Sequence, residues 1–155
     1  RQGTLWLDLS NRPYRIVPPE VAALTSLQTL KLSGMWLESL CNSLHVLTDL
    51  RVLELHDNTL RSLPDELSSL TNLQRLSISR NWFYRLPYCI ADMCSLADFQ
   101  ADGNQLTVIF PDIARMTSLT EINMADNCLK AVTPAVARVP SLRVLDLSGN
   151  QITFV

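Results

Sequence analysis

Apolar and polar positions in this chain recur every 23 residues. In the stretch Leu50–Asn72, apolar side chains fall at Leu50, Leu53, Leu55, Leu60, Leu63, Leu67 and Leu70, with Asn58 and Pro64 between them. One period on, the same places hold Leu73, Leu76, Ile78, Phe83, Leu86, Ile90 and Met93, with Asn81 and Pro87. An internal repeat of this length decides the architecture before any single element is assigned. Leu53 and Leu55 alternate with Val52, Glu54 and His56, which predicts a short strand with one buried face. Pro64 and Pro87 fix the backbone ahead of DELSSL and YCIADM, which read as short helical turns. A coil this short cannot bury its own apolar face, so successive coils must stack and share one core. Their strands then pair in parallel about 4.8 Å apart, and seven of them make a sheet about 30 Å long.

Written out, the pattern is L-x-x-L-x-L-x-x-N-x-L, continued by L-P-x-x-[IL]-x-x-L, and it resembles the leucine-rich-repeat proteins of the typical intracellular class. The resemblance covers nearly the whole chain and implies an α/β solenoid, with a concave parallel sheet and short helical turns on its convex side. Its frame divides the chain into repeats at 4–26, 27–49, 50–72, 73–95, 96–118 and 119–141, with a partial one at 142–155. No linker or low-complexity segment interrupts them, so one domain is expected. The seventh repeat stops mid-coil at Phe154-Val155, which reads as part of a longer chain.

Asn58, Asn81, Asn104, Asn127 and Asn150 form one column of the frame. The chain turns inward there, and an amide offers both a donor and acceptors to the turns of adjacent coils. Each bond contributes roughly 0.5–1.5 kcal/mol, and an unpaired buried group costs more. Repeat one holds Arg12 in this column, with Asn11 one place early. In repeat two, Met35 replaces the Asn and Cys41 replaces the Pro, so an altered loop carrying Trp36 is expected. Repeat five has Phe99 and Ala101 at its core strand positions, a large–small pair that keeps volume roughly constant. Of its Val108-Ile109-Phe110 run, Ile109 belongs inward and either Val108 or Phe110 outward.

At 155 residues and 47% hydrophobic, the chain can build one sizeable core. A net charge of −2 gives no electrostatic case for nucleic acid or an anionic membrane. No apolar run reaches the roughly 20 residues that span a bilayer, so membrane insertion is not expected. Cys41, Cys89, Cys94 and Cys128 sit at four different places in the frame and form no terminal cluster, whereas secreted relatives commonly close their ends with disulfide-bonded caps. There is also no N-x-[ST] acceptor. A reduced, intracellular setting follows as the expectation.

On the sheet, one outward column reads Trp6, Thr29, Val52, Arg75, Asp98, Glu121, Val144, and the next reads Asp8, Lys31, Glu54, Ser77, Gln100, Asn123, Asp146. The third reads Ser10, Ser33, His56, Ser79, Asp102, Ala125, Ser148, bordered by Asn11, Gly34, Asp57, Arg80, Gly103, Asp126 and Gly149. The candidate partner site is drawn from them: Lys31, Glu54, His56, Asp57, Arg75, Arg80, Asp98 and Asp102. Trp36 and Trp82 join it at the rim, where they share a position and are expected one coil apart. Trp and Arg are the side chains most enriched in interface hot spots, so these residues point to an unidentified protein partner bound across the concave face, mostly by repeats two to five. Indoles lying flat over the loops are the alternative.

Ser33, His56 and Ser79 are expected to neighbour one another beside Asp57 or Asp102. An open sheet gives such a trio neither oxyanion donors nor shelter from water, so catalysis is not expected. Cys41 and His45 could meet on one helical turn but fall short of the about four ligands that zinc takes. The acidic residues of repeats five to seven lack a calcium loop. Neither a metal nor a cofactor is expected. The family resemblance implies partners such as Ras-like GTPases and phosphatases, and nothing in these residues selects among them. It equally allows a regulatory or targeting region of a larger kinase, cyclase or ubiquitin ligase, and, less well, a receptor ectodomain.

Overall fold

The structure is a computed structural model and describes residues 3–153. The open core face expected at Phe154-Val155 lies outside the described residues. Seven three-residue strands, β1 (Trp6–Asp8), β2 (Thr29–Lys31), β3 (Val52–Glu54), β4 (Arg75–Ser77), β5 (Asp98–Gln100), β6 (Glu121–Asn123) and β7 (Val144–Asp146), form one parallel sheet in sequence order. Every pairing keeps the repeat offset, so Leu30 faces Leu53, Leu53 faces Leu76, and Leu76 faces Phe99. A period of two sends these central residues into the core and their neighbours to solvent. Arg75, Asp98 and Glu121 therefore line up on the outward face.

The core runs the length of the stack. Leu30, Leu32, Leu53, Leu55, Leu76, Ile78, Phe99 and Ala101 are all buried, and the large Phe99 and small Ala101 leave the register undisturbed. Each fully buried leucine contributes about 1.5–3 kcal/mol. Coils at both ends are more open: Leu7 and Leu147 are only partly buried, and Leu145 is exposed.

The return segments are single 3-10 turns. In Asp65–Ser69, Leu67 N–H donates to Pro64 C=O at 3.1 Å, and Leu70 N–H to Leu67 C=O at 3.0 Å. Pro64 supplies the extended entry, φ −59° and ψ 139°, and Cys41 takes the same path at φ −76° and ψ 143° without a ring. The turn needs the conformation rather than the proline itself. Val108 is the exposed member of its run, while Phe110 turns inward and meets the Tyr88 ring edge-on at 5.9 Å.

Where the chain leaves the sheet, each Asn spans two coils. Asn81 Oδ1 accepts from Leu60 N–H of the preceding coil at 2.9 Å, and its amide donates back to Leu55 C=O at 2.9 Å. The same amide also serves Ile78 and Ser79 of its own coil. Asn104, Asn127 and Asn150 repeat the arrangement. Asn58 does more, accepting from both Met35 N–H and Leu37 N–H at 3.0 Å. Met35 is fully buried and brings no amide of its own. The loop beside it carries two left-handed residues, Gly34 at φ 66° and Trp36 at φ 60°.

Candidate functional site

The sheet's outward face is organised by ion pairs between coils. Lys31 Nζ lies 3.1 Å from Glu54 Oε2, and Arg75 Nε donates to Asp98 Oδ2 at 2.7 Å. Arg80 reaches back to Asp57 through Nε and Nη2, at 2.6 and 2.7 Å, with Asp102 3.9 Å from Nη1. The Arg80 guanidinium holds the Asp57 carboxyl far below the usual carboxylate range; burial opposes it, and His56 adds a lesser lowering. His56 Nδ1 lies 2.8 Å from Asp57 Oδ2. The charged residues picked out by sequence are thus brought together, and they engage one another. Only part of each guanidinium's donor set is left for a partner.

Seven consecutive coils hold a left-handed residue just before the inward turn: Asn11, Gly34, Asp57, Arg80, Gly103, Asp126 and Gly149. The column's preference for Gly, Asn and Asp is the sequence signal for this bend. Arg80 is the exception.

Trp36 and Trp82 project from the rim, 69% and 47% exposed. They are two coils apart rather than one, because Thr59 holds the position between them. That spacing turns a pair of stacked indoles into the two walls of a groove of about 500 Å³, with Thr59, Asp57 and Arg80 along its floor. Strand spacing puts the walls roughly 10 Å apart, enough for one side chain or an extended backbone to lie between them. Arg61 lies over the Trp82 ring at 5.1 Å, so this indole is braced from outside the groove.

Ser33, His56 and Ser79 do not form a nucleophile–base pair. Ser79 Oγ donates to Asp102 Oδ1 at 2.5 Å, His56 turns to Asp57, and both serines are buried. Among the described residues, Ser33 Oγ has no partner. Cys41 and His45 do not meet either: Ser43 Oγ donates to Cys41 Sγ at 3.2 Å, and His45 Nδ1 lies 2.8 Å from Asn42 C=O. Among the described residues, no group of three or more His, Cys, Asp or Glu side chains is placed to hold a metal ion, and no helix is long and apolar enough to cross a membrane. Toward the carboxyl end, Glu121, Asp126 and Asp146 carry carboxylates without a cation beside them among the described residues. Asp146 is held below the usual range by the Ser148 hydroxyl and N–H.

Sequence reasoning missed the aromatics of the loop edge beyond the rim. Tyr84 and Tyr88 are exposed there, and Arg85 lies 5.2 Å over the Tyr84 ring.

Comparison with known proteins gives consistent matches. One leucine-rich-repeat family model matches residues 94–152 and another matches residues 49–70. No curated protein matches the chain. A leucine-rich-repeat protein of Leptospira interrogans superposes with a TM-score of 0.94 and 32% identity, over 96% of this chain and 38% of that one. In the Toll–Spätzle complex of Drosophila, a matching chain gives 0.85 and 30% identity, over 94% of this chain and 20% of that one. An Arabidopsis thaliana receptor kinase ectodomain, solved with Casparian strip integrity factor 2, gives 0.83 and 26% identity, over 94% of this chain and 18% of that one. The chain therefore spans well under two thirds of each of these three.

Proposed function

This chain belongs to the leucine-rich-repeat proteins, and on that basis we propose that it is a noncatalytic interaction module that binds a protein partner across its concave face. The observation that carries the reading is the groove between Trp36 and Trp82, floored by Thr59 and the Asp57–Arg80 pair. Two exposed indoles set at a fixed separation supply apolar area for a partner, and the ion-paired floor orients it. The residues are held by a buried core and by bonds between coils, so binding costs little ordering entropy. Two of the similar structures, the Toll–Spätzle complex and the Arabidopsis ectodomain with its integrity factor, are complexes, which supports a binding role for this fold. The proposal includes a reducing, intracellular setting, supported by four thiols that are all unpaired.

Affinity capture from native lysate tests it, with the wild-type chain beside a Trp36→Ala, Arg80→Ala, Trp82→Ala triple variant whose circular dichroism matches. A partner enriched by wild type and lost with the variant is the expected result. A partner that survives the triple substitution places binding elsewhere on the solenoid. Capture of nothing specific by wild type counts against a free-standing module.

A further inference from the structure

The loop edge beyond the rim differs from the sheet in one chemical respect. On the sheet, Lys31, Arg75 and Arg80 each lie against a carboxylate of the next or preceding coil. On the loop edge, Arg61 and Arg85 form no ion pair among the described residues and lie instead over aromatic rings, Arg61 on Trp82 and Arg85 on Tyr84. A guanidinium stacked this way keeps the N–H donors around its rim available to an acceptor, in a fork that matches a carboxylate. The two adjacent positions of the frame that hold Arg61 and Arg85 also place Arg15 and Lys130 on this edge, with Glu38 as the opposing charge.

The edge is rigid enough to present these groups. Trp82 N–H donates to Leu60 C=O at 2.9 Å, Gln105 N–H to Phe83 C=O at 2.8 Å and Cys128 N–H to Leu106 C=O at 2.9 Å, so backbone bonds continue past the sheet from coil to coil. In coil four the chain alternates around the buried Phe83, which turns Trp82 and Tyr84 outward together, and Tyr88 follows at the start of the 3-10 turn. Val108 is exposed in the same part of the frame one coil on.

We propose that this edge is a second docking surface, which adjoins the concave groove at Trp82 and takes an acidic protein segment: its carboxylates meet Arg61 and Arg85, and its apolar side chains cover Tyr84 and Tyr88. Tyr, Trp and Arg dominate interface energetics, and here they occur together with Glu38 as the nearby acid, which forms no ion pair with Arg61 or Arg85 among the described residues. Asp65 and Glu66, which open the convex turn of coil three, bound the surface and confine the partner's acid groups to the rim side of Tyr88. A nucleic acid fits less well. Its closely spaced phosphates would extend past two arginines onto a chain of net charge −2.

The test is selection of a random-peptide phage library on the whole chain, followed by binding of each enriched peptide to wild type and to an Arg61→Glu, Arg85→Glu double variant. Both arginines are exposed, so the fold is retained, and an Arg61→Gln, Arg85→Gln pair guards against effects of reversed charge. Enriched peptides should be rich in Asp and Glu beside an apolar residue. They should lose roughly tenfold or more in affinity with either variant and should shift the amide resonances of Arg61, Tyr84 and Arg85. The proposal falls if enriched peptides are basic, if acidic ones bind the double variant equally, if none is enriched, or if a single-stranded oligonucleotide competes better than they do. Shifts centred on Arg75 and Arg80 would overturn it while leaving the concave-face reading intact. Conversely, a Trp36→Ala, Arg80→Ala variant that abolishes capture from lysate yet keeps the acidic peptides separates the two surfaces.

Discussion

Arg80 closes on Asp57 of the preceding coil through two hydrogen bonds, of 2.6 and 2.7 Å, while both residues hold left-handed backbone at φ 50° and 58°. Asp enters that region at modest cost, and a long unbranched residue such as Arg enters it rarely. Gly103, beside Arg80 in the next coil, leaves room for it: a Cβ there would press to 3.0 Å from Arg80 Cγ. The ion pair therefore rests on a strained backbone position that a neighbouring glycine accommodates.

That strain can be separated from the charge. Arg80→Ala and Arg80→Gly both remove the ion pair, but only alanine keeps a Cβ in the left-handed region. The glycine variant should be more stable than the alanine variant by about 1 kcal/mol, read from urea unfolding midpoints. Equal midpoints would show that the backbone at this position stores nothing.

Asp57 gives the pair a definite pH dependence. Its folded pKa lies below the ordinary value of 3.8, so its contribution is complete above that value and disappears as pH falls through the folded one. Both partners are about half exposed, so solvent screening keeps the effect small. The stability difference between wild type and Asp57→Asn should be constant near neutrality and shrink below about pH 4. A difference that stayed constant into strong acid would mean that Asp57 acts through its turn geometry rather than its charge.

The Asn column should be among the most sensitive polar positions. Asn81→Ala leaves the buried Leu60 N–H without a partner and removes one of two amide donors from the carbonyls of Leu55 and Ile78, which keep Asn58 and Asn104. A loss of about 3 kcal/mol is expected in chemical denaturation. Asn150, which is only partly buried, should cost less when replaced in the same way. The ordering of the two losses is the check.

The cysteines should divide by accessibility. Burial pushes the Cys89 thiol up to about 12, with the Asp65 carboxylate adding to it, whereas Cys94 is exposed. Alkylation at mildly alkaline pH, followed by peptide mass spectrometry, should modify Cys94 first and Cys89 only after denaturant is added. Early labelling of Cys89 in native protein would contradict its burial beneath coil four.

The stack was legible in the sequence because its cause is translational. Leu53, Leu76 and Phe99 recur at the offset at which their strands pair, so the spacing of core residues and the register are one fact. The outward columns followed from the same offset. What the repeat frame does not contain is the choice of partner between coils. Arg75 turns forward to Asp98, and Arg80 turns back to Asp57, although both arginines had acidic neighbours in reach of the reading. The loop edge was overlooked for a related reason. Attention to residues alternating with buried leucines stops at the Asn column, and Tyr84 and Arg85 lie beyond it. Phe110 and Val108 are separated by the frame itself: Val108 shares the exposed column of Ser62 and Arg85, while Phe110 shares that of Pro64 and Pro87 and packs against the Tyr88 ring.

The bonds of the Asn column have a direction. Asn58, Asn81, Asn104, Asn127 and Asn150 each donate to a carbonyl 26 residues earlier. The fastener therefore arrives with the later coil and grips one already made. A chain emerging from the ribosome delivers each new coil together with the side chain that locks it to its predecessor, so assembly can keep pace with translation. Met35 offers no such grip on the coil before it, and the ladder resumes between the second and third coils once Asn58 has been added.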